Sequence, residues 1–218
     1  MEGTPDRLLA EQRLRTAITD GELAPGARLV EADLVELFGV SRSNVRLAID
    51  ALAADGLVER IPNRGARVRV VSTEEAVAIT EARMVLEALI ARKAAERVTD
   101  DDVARLRAQV GLMRDAVEAG DLLTYSALIQ QLHGLIRDLA DQPVATGLVD
   151  RLRAQLVRHQ FRLSLRPGRP QVSLSGLTAL VDAIADRDPD RAEAAATAHF
   201  TSVIAALTAP TPLPGGTA

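Results

Sequence analysis

The sequence predicts a mainly α protein in two parts: a small three-helix unit closed by a β-hairpin, then an antiparallel all-α helical bundle. Three observations carry that prediction. Apolar residues recur at helical spacing between Gly- and Pro-containing breaks in the first half of the N-terminal region. One stretch, 57–70, alternates in the manner of paired strands. Beyond Val71 the period is helical throughout.

Each element has a local reason. Leu14 and Ile18 share one face of a helix over 7–20, which Gly21, Pro25 and Gly26 end. Residues 31–38 form a short helix with Leu34 and Leu37 inward, closed by Gly39. Ser41 caps a third helix to about Asp55, with Val45, Ile49 and Leu52 inside and Gly56 as its terminator. Arg42, Ser43, Asn44 and Arg46 remain on its outer side. Strands at 57–61 and 66–70 flank a turn at 62–65. Ser72 and Glu75 read as a capping box for a helix to about Val98, and Thr99 followed by three aspartates opens the next. Further helices are expected over 121–140, 144–165, 172–187 and 190–208, punctuated by Pro143, the 166–170 stretch and Asp188-Pro189. The division is therefore 1–71, 72–209 and a disordered tail of Pro, Gly and Thr at 210–218.

Composition narrows the function classes. A chain of 218 residues with 47% hydrophobic content can fill two small cores. It has no Cys, which excludes disulfides, thiolate metal sites and a cysteine nucleophile and suits a reducing cytoplasm. Charged residues throughout the first twenty positions resemble neither a signal peptide nor a membrane span, so a cytoplasmic protein without membrane partners is expected. A net charge of -4 argues against coating nucleic acid over the whole surface. Any DNA contact must come from a local patch, and one exists. Between Val40 and Val71, Arg42, Arg46, Arg60, Arg64, Arg67 and Arg69 face only Asp50, Asp55 and Glu59. With no Trp and Tyr125 as the only Tyr, stacking on single strands is not a plausible alternative.

The order helix, short helix, helix, hairpin is that of a winged helix-turn-helix, whose recognition helix enters the major groove by its N-terminal residues. Arg42 and Arg46, one turn apart, suit bidentate pairing with guanine, while Ser43 and Asn44 suit phosphate or an adenine edge. Arg64 and Gly65 suit a wing tip close to the backbone or minor groove. The same pattern also fits a winged-helix protein-interaction module with a merely solvated basic face. The residues themselves decide between them. Gly21 to Leu29, Phe38-Gly39-Val40-Ser41-Arg42-Ser43-Asn44-Val45-Arg46, Leu52 to Val58 and Asn63-Arg64-Gly65-Ala66 closely resemble the GntR family of bacterial regulators. The resemblance implies that Ser41, Arg42, Ser43, Asn44 and Arg46 meet an operator, with Arg64-Gly65 at the wing tip. Asn44 and Leu47 depart from the residues usual there, which bears on the operator sequence.

Glu81-Ala82-Arg83, the helix of His133 and the Asp-Arg-Asp-Pro turn before the helix of His199 resemble the ligand-binding (FCD) domain of the FadR-type branch. That implies an antiparallel bundle, a homodimer and a small-molecule site. Two-fold symmetry then predicts a pseudo-palindromic operator, and repression relieved by the effector is the expected sense of regulation. The residues point independently to an interior polar site. Arg83 shares a stripe with Ile79, Leu86 and Ile90, and a buried Arg needs an anion, either an effector or Glu87 one turn on. His133 aligns with Ile129 and Ile136, His159 with Leu152, Leu156 and Leu163, and His199 with Val203. Each alone fits a hydrogen-bonded core histidine. Together, Arg83, Tyr125, His133, His159 and His199 are the candidate effector-binding residues, for an organic acid or other anionic metabolite.

Many members of the branch hold a divalent metal. Carried over by position, the ligand set becomes Ile129, His133, Leu177 and His199, and two of these cannot ligate, so no metal and no cofactor are expected; only His159 could rebuild a weaker site. The histidines also raise a metal-assisted hydrolase as an alternative. The sequence has no H-E-x-x-H, no G-x-S-x-G, no phosphate-cradling Gly loop and no dense carboxylate and His cluster, and no catalytic residue is assigned.

Overall fold

The computed structural model describes residues 3–62, 64–156, 159, 163 and 166–209. The chain divides into two compact units, Met1–Ser72 with Arg153–Arg158 and Thr73–Leu152 with His159–Ala218. No helix among the described residues is long and apolar enough to cross a membrane.

The first unit holds α1 (Gly3–Thr19), β1 (Arg28–Leu29), α2 (Glu31–Phe38), α3 (Arg42–Ala54), β2 (Val58–Ile61) and β3 (Gly65–Val68). Ser41 starts α3 as its sequence position predicts, its hydroxyl accepting from the Asn44 amide at 3.3 Å. Gly39 closes α2 in a left-handed conformation, φ 64°, with its amide donating to the Val35 carbonyl at 2.9 Å. Leu14, Val45, Ile49 and Leu52 form the centre of an aliphatic core completed by Leu29, Val58 and Val68. Leu37 does not join it. It is 63% exposed, because Phe38, four residues after Leu34, takes the inner position and turns Leu37 to the other side.

The hairpin is present, and a third strand joins it. β1 pairs antiparallel with β3, giving the order β1-β3-β2 with Arg28 opposite Arg67 and Leu29 opposite Ala66. The sequence pattern assigns no element to residues 28–29, since two residues carry no period. In the hairpin itself Ile61 stands opposite Gly65, whose φ of 88° is a conformation that a side chain would strain.

The elements of the second unit are helices: α4 (Thr73–Arg97), α5 (Asp100–Glu118), α6 (Leu122–Ala140), α7 (Pro143–Ala154, its last two residues grouped with the first unit), α8 (Arg169–Ala185) and α9 (Pro189–Thr208). Thr99 and Asp102 make a reciprocal capping box on α5, and Asp121 and Asp188 cap α6 and α9. α9 packs on α4 and α8, and α4 and α5 both pack on α6. Ile90, Leu106, Met113, Leu132, Leu177 and Ile184, all essentially without exposure, form the centre. The expected helix over 144–165 is interrupted: α7 stops at Ala154, and a turn follows in which the Leu156 amide donates to the Arg153 carbonyl at 2.9 Å. His159 and Leu163 are again helical, while the rest of 157–165 and the tail at 210–218 lie outside the described residues.

Candidate functional site

Two places collect the predicted residues. The first is the start of α3. Ser41, Arg42 and Ser43 are exposed, and the two serine hydroxyls lie 2.9 Å apart. Arg42 has no ion-pair or hydrogen-bond partner among the described residues. Arg46, one turn on and well exposed, donates its Nε hydrogen to both carboxylate oxygens of Glu31, each at 2.8 Å. That contact holds the guanidinium proton more tightly than usual. Asn44 corrects the sequence reading. It is only 8% exposed, on the side of α3 that also carries the buried Ala48, so it does not stand outside with Arg42 and Arg46. Leu47, by contrast, is 43% exposed beside them.

Arg64 and Gly65 are exposed at the hairpin turn, with Asn63 outside the described residues. The other arginines of the basic patch already have partners. Arg60 binds Asp50 at 2.6 Å, Arg67 binds Glu59, and an Arg69 terminal nitrogen reaches the Gly56 carbonyl at 3.4 Å. Such exposed pairs are weak enough to be exchanged for phosphate contacts. Arg42 and Arg64 are thus the patch cations whose side chains have neither an ion-pair nor a hydrogen-bond partner among the described residues.

The second place is a cavity of about 90 Å³ inside the helical unit. α4 contributes Arg83, α6 contributes Tyr125 and His133, α8 contributes Arg169 and Ser173, and α9 contributes His199. The periodicity argument therefore gathers Arg83, Tyr125, His133 and His199 around one space. His159, half-buried, does not line it. Leu163, four residues further on, does line it, so only part of the predicted stripe reaches the cavity.

Arg83 is 4% exposed and donates to Glu87, 5% exposed, at 3.0 Å. Of the two anions the sequence allows for Arg83, the internal one is present. Glu87 also lies 3.9 Å from His133 Nδ1, and the Arg83 guanidinium sits 5.1 Å from the centre of the Phe200 ring. His199 meets the same ring edge-on at 5.3 Å, with the His133 ring 6.1 Å away. Burial first, then neighbouring positive groups, hold the His199 pKa down to about 3, so the ring is neutral at physiological pH. Its Nδ1 has no hydrogen-bond partner among the described residues and lies over Gly176, where an added Cβ would stand 3.1 Å away.

Arg169 is the charged cavity residue that sequence reasoning missed, together with the polar Ser173. Its Nη1 donates to the Ser202 hydroxyl at 3.1 Å, no carboxylate pairs with it among the described residues, and burial lowers its pKa. It fell in the stretch read only as punctuation. A signal was there nonetheless: an arginine just before a proline at a helix start is fixed in place by that start. Nearby, the Tyr125 hydroxyl donates to the Pro170 carbonyl at 3.0 Å, and burial raises its pKa.

The divalent metal of the FadR-type branch does not fit here. Ile129 lies on the cavity wall and Leu177 in the apolar core, leaving His133 and His199 alone of the four positions, with neither Ile nor Leu able to donate to a cation. Among the described residues, no group of three or more His, Asp or Glu side chains is arranged to hold a metal ion.

A winged helix-turn-helix with exposed arginines on its third helix, in one chain with an all-helical unit whose largely apolar cavity is reached by Arg83, Arg169, His133 and His199, is the architecture of a helix-turn-helix transcription regulator. Comparison with known proteins gives the family. Residues 8–68 match the bacterial regulatory proteins of the gntR family, and residues 78–202 match the FCD domain. The chain belongs to the GntR family and carries an FCD domain. It is 29% identical over 190 residues to the HTH-type transcriptional repressor RspR of Escherichia coli strain K12, covering 87% of this chain and 83% of that one. It is 26% identical over 224 residues to the repressor NanR of Cronobacter sakazakii, covering 90% and 83%. Among solved structures, Escherichia coli McbR/YncC superposes with a TM-score of 0.77 at 22% identity, covering 93% of this chain and 96% of that one. A transcriptional regulator of Rhodococcus gives 0.71 at 23% identity, covering 94% and 98%. These structures share the fold. The family and the relatives are transcription regulators and not enzymes, which removes the hydrolase alternative.

Proposed function

We propose that this chain is a cytoplasmic homodimeric repressor whose operator affinity is set by a small anionic effector held in the cavity of the helical unit. The observation that carries the proposal is the charge arrangement around that cavity. Arg83 is neutralised by Glu87, whereas Arg169 faces the same space without a carboxylate among the described residues. A carboxylate or similar anion would supply the missing partner, with Ser173 and the neutral His199 ring as hydrogen-bonding neighbours. At about 90 Å³ the space suits a small metabolite rather than a long chain, since one water occupies on the order of 10–15 Å³ on this measure.

Ser41, Arg42, Ser43 and Arg46, with Arg64 and Gly65 at the wing, form the proposed operator-reading surface, and two-fold symmetry of the dimer implies a pseudo-palindromic site. An effector that binds one arrangement of the dimer better than another shifts the population, and operator affinity changes by the same coupling factor. The test is a screen of small organic acids by thermal shift on wild-type and Arg169→Ala protein, followed by titration against DNA upstream of the chain's own gene. An acid that raises the melting point of wild type alone and weakens its DNA binding is the expected result. If acids acted equally on wild type and Arg169→Ala, the cavity assignment would be wrong. If neither protein bound any DNA sequence-specifically, the regulatory reading itself would fall.

A further inference from the structure

We infer that Glu31 is a specificity-setting residue: it grips Arg46 by the Nε edge and so presents the guanidinium's other edge, Nη1 and Nη2, to a guanine in the major groove. The inference rests on the reading of α3 as the recognition helix. An arginine offers donors on two edges, and only one of them can be used by a given carboxylate or base. Here the Nε hydrogen is shared between both Glu31 oxygens at 2.8 Å each, while neither terminal nitrogen has a partner among the described residues. Two parallel N–H groups on a free terminal edge are what guanine O6 and N7 accept.

Glu31 is suited to hold that position. It is the first residue of α2, where the helix's positive end favours a carboxylate, and it is less exposed than Arg46, 27% against 58%. Val30 before it provides no side-chain cap, so the carboxylate is the group at this helix end that the sequence devotes to something other than capping. A long arginine held in advance loses less rotamer freedom on binding. The second consequence is repulsive. A carboxylate beside the groove disfavours phosphate, so Glu31 weakens contact with arbitrary DNA while supporting contact with a guanine-bearing site. The other exposed pairs of this unit differ in place: Arg60 with Asp50 and Arg67 with Glu59 keep their arginines on or beside the hairpin and not on α3.

The experiment is selection from a pool of randomised DNA duplexes by wild-type protein and by the Arg46→Ala, Glu31→Ala and Glu31→Gln variants, with affinity for an unrelated duplex measured alongside. Wild type should select a guanine that Arg46→Ala no longer prefers. Glu31→Ala should lose about tenfold or more of the preference at that same position, the lower range of what one bidentate base contact discriminates. Its affinity for the unrelated duplex should be equal or higher, because a negative charge is gone. Glu31→Gln, which keeps an acceptor for Nε without the charge, should recover part of the guanine preference. Unchanged preference in Glu31→Ala, higher operator affinity in that variant, or equal loss on selected and unrelated DNA would each overturn the inference. So would an Arg46→Ala variant with the wild-type sequence preference. Thermal unfolding of each variant separates a folding defect from all of these, and a wild type that selects no sequence would instead overturn the regulatory reading beneath it.

Discussion

Two sets of arginines, those paired around the hairpin of the winged unit and Arg83 of the helical unit, are used in opposite ways. In the winged unit the cations stand in solvent and lean on carboxylates that are themselves exposed, as in Arg60 with Asp50 and Arg67 with Glu59. In the helical unit Arg83 is buried, and its partner Glu87 is buried with it. Exposed pairs are worth little and can be traded for phosphate at small cost, whereas a buried charge is bound to its partner by the large penalty of losing it. A surface that must exchange ligands needs the first kind. A cavity wall proposed to hold an effector would need the second, keeping its shape whether occupied or not.

The largest test of that contrast is Glu87→Ala. It leaves Arg83 buried without its counter-charge and should lower unfolding stability by about 3–5 kcal/mol in denaturant titration. The double variant Arg83→Met, Glu87→Leu should recover most of the loss. Arg60→Ala, which breaks an exposed pair, should leave the unfolding midpoint close to wild type. Comparable losses from Glu87→Ala and Arg60→Ala would erase the distinction between the units.

Arg42→Ala comes next and should have the reverse profile: unaltered unfolding, but roughly tenfold or greater loss of operator affinity and a shallower dependence on salt. A fall in stability would show that Arg42 supports the fold, not the operator contact.

The effect smallest at neutral pH is that of His199, whose contribution shows only as the solution is acidified. His199 has a folded pKa near 3, below its unfolded value, so unfolding takes up a proton between about pH 6.5 and 3. The stability contribution is complete above that window and is lost as pH falls through it, by up to about 1.4 kcal/mol per pH unit. Acid titration of the unfolding free energy should show a shallower slope in His199→Gln than in wild type. Parallel curves would mean that the ring is not held neutral by burial.

How far the sequence could be read follows the same division between local and long-range causes. The start of α3 was legible because Ser41, Gly39 and the apolar spacing act within a few residues, and so were the ends of α2, α5 and α6. β1 was not, because two residues become a strand only through a partner nearly forty positions away. Leu37 and Asn44 were misplaced for a related reason. Periodicity narrows a residue to a flank of a helix, and packing against the rest of the core decides between neighbours such as Leu37 and Phe38. Around the cavity, periodicity placed Arg83, His133 and His199 on inward faces but could not choose between Glu87 and an effector as the anion for Arg83. Arg169 escaped because its importance lies in a helix start that brings it to side chains from three other helices.

The position of Tyr125 has a practical consequence of another kind. It is the only tyrosine in a chain without tryptophan, it is 1% exposed, and it stands on the cavity wall with its hydroxyl tied to Pro170. Excited at wavelengths beyond the absorption of its three phenylalanines, the protein therefore emits from one ring at one place. A molecule entering the cavity changes the surroundings of that ring, so the unmodified protein carries its own optical reporter of occupancy, without a dye, a tag or a substituted residue.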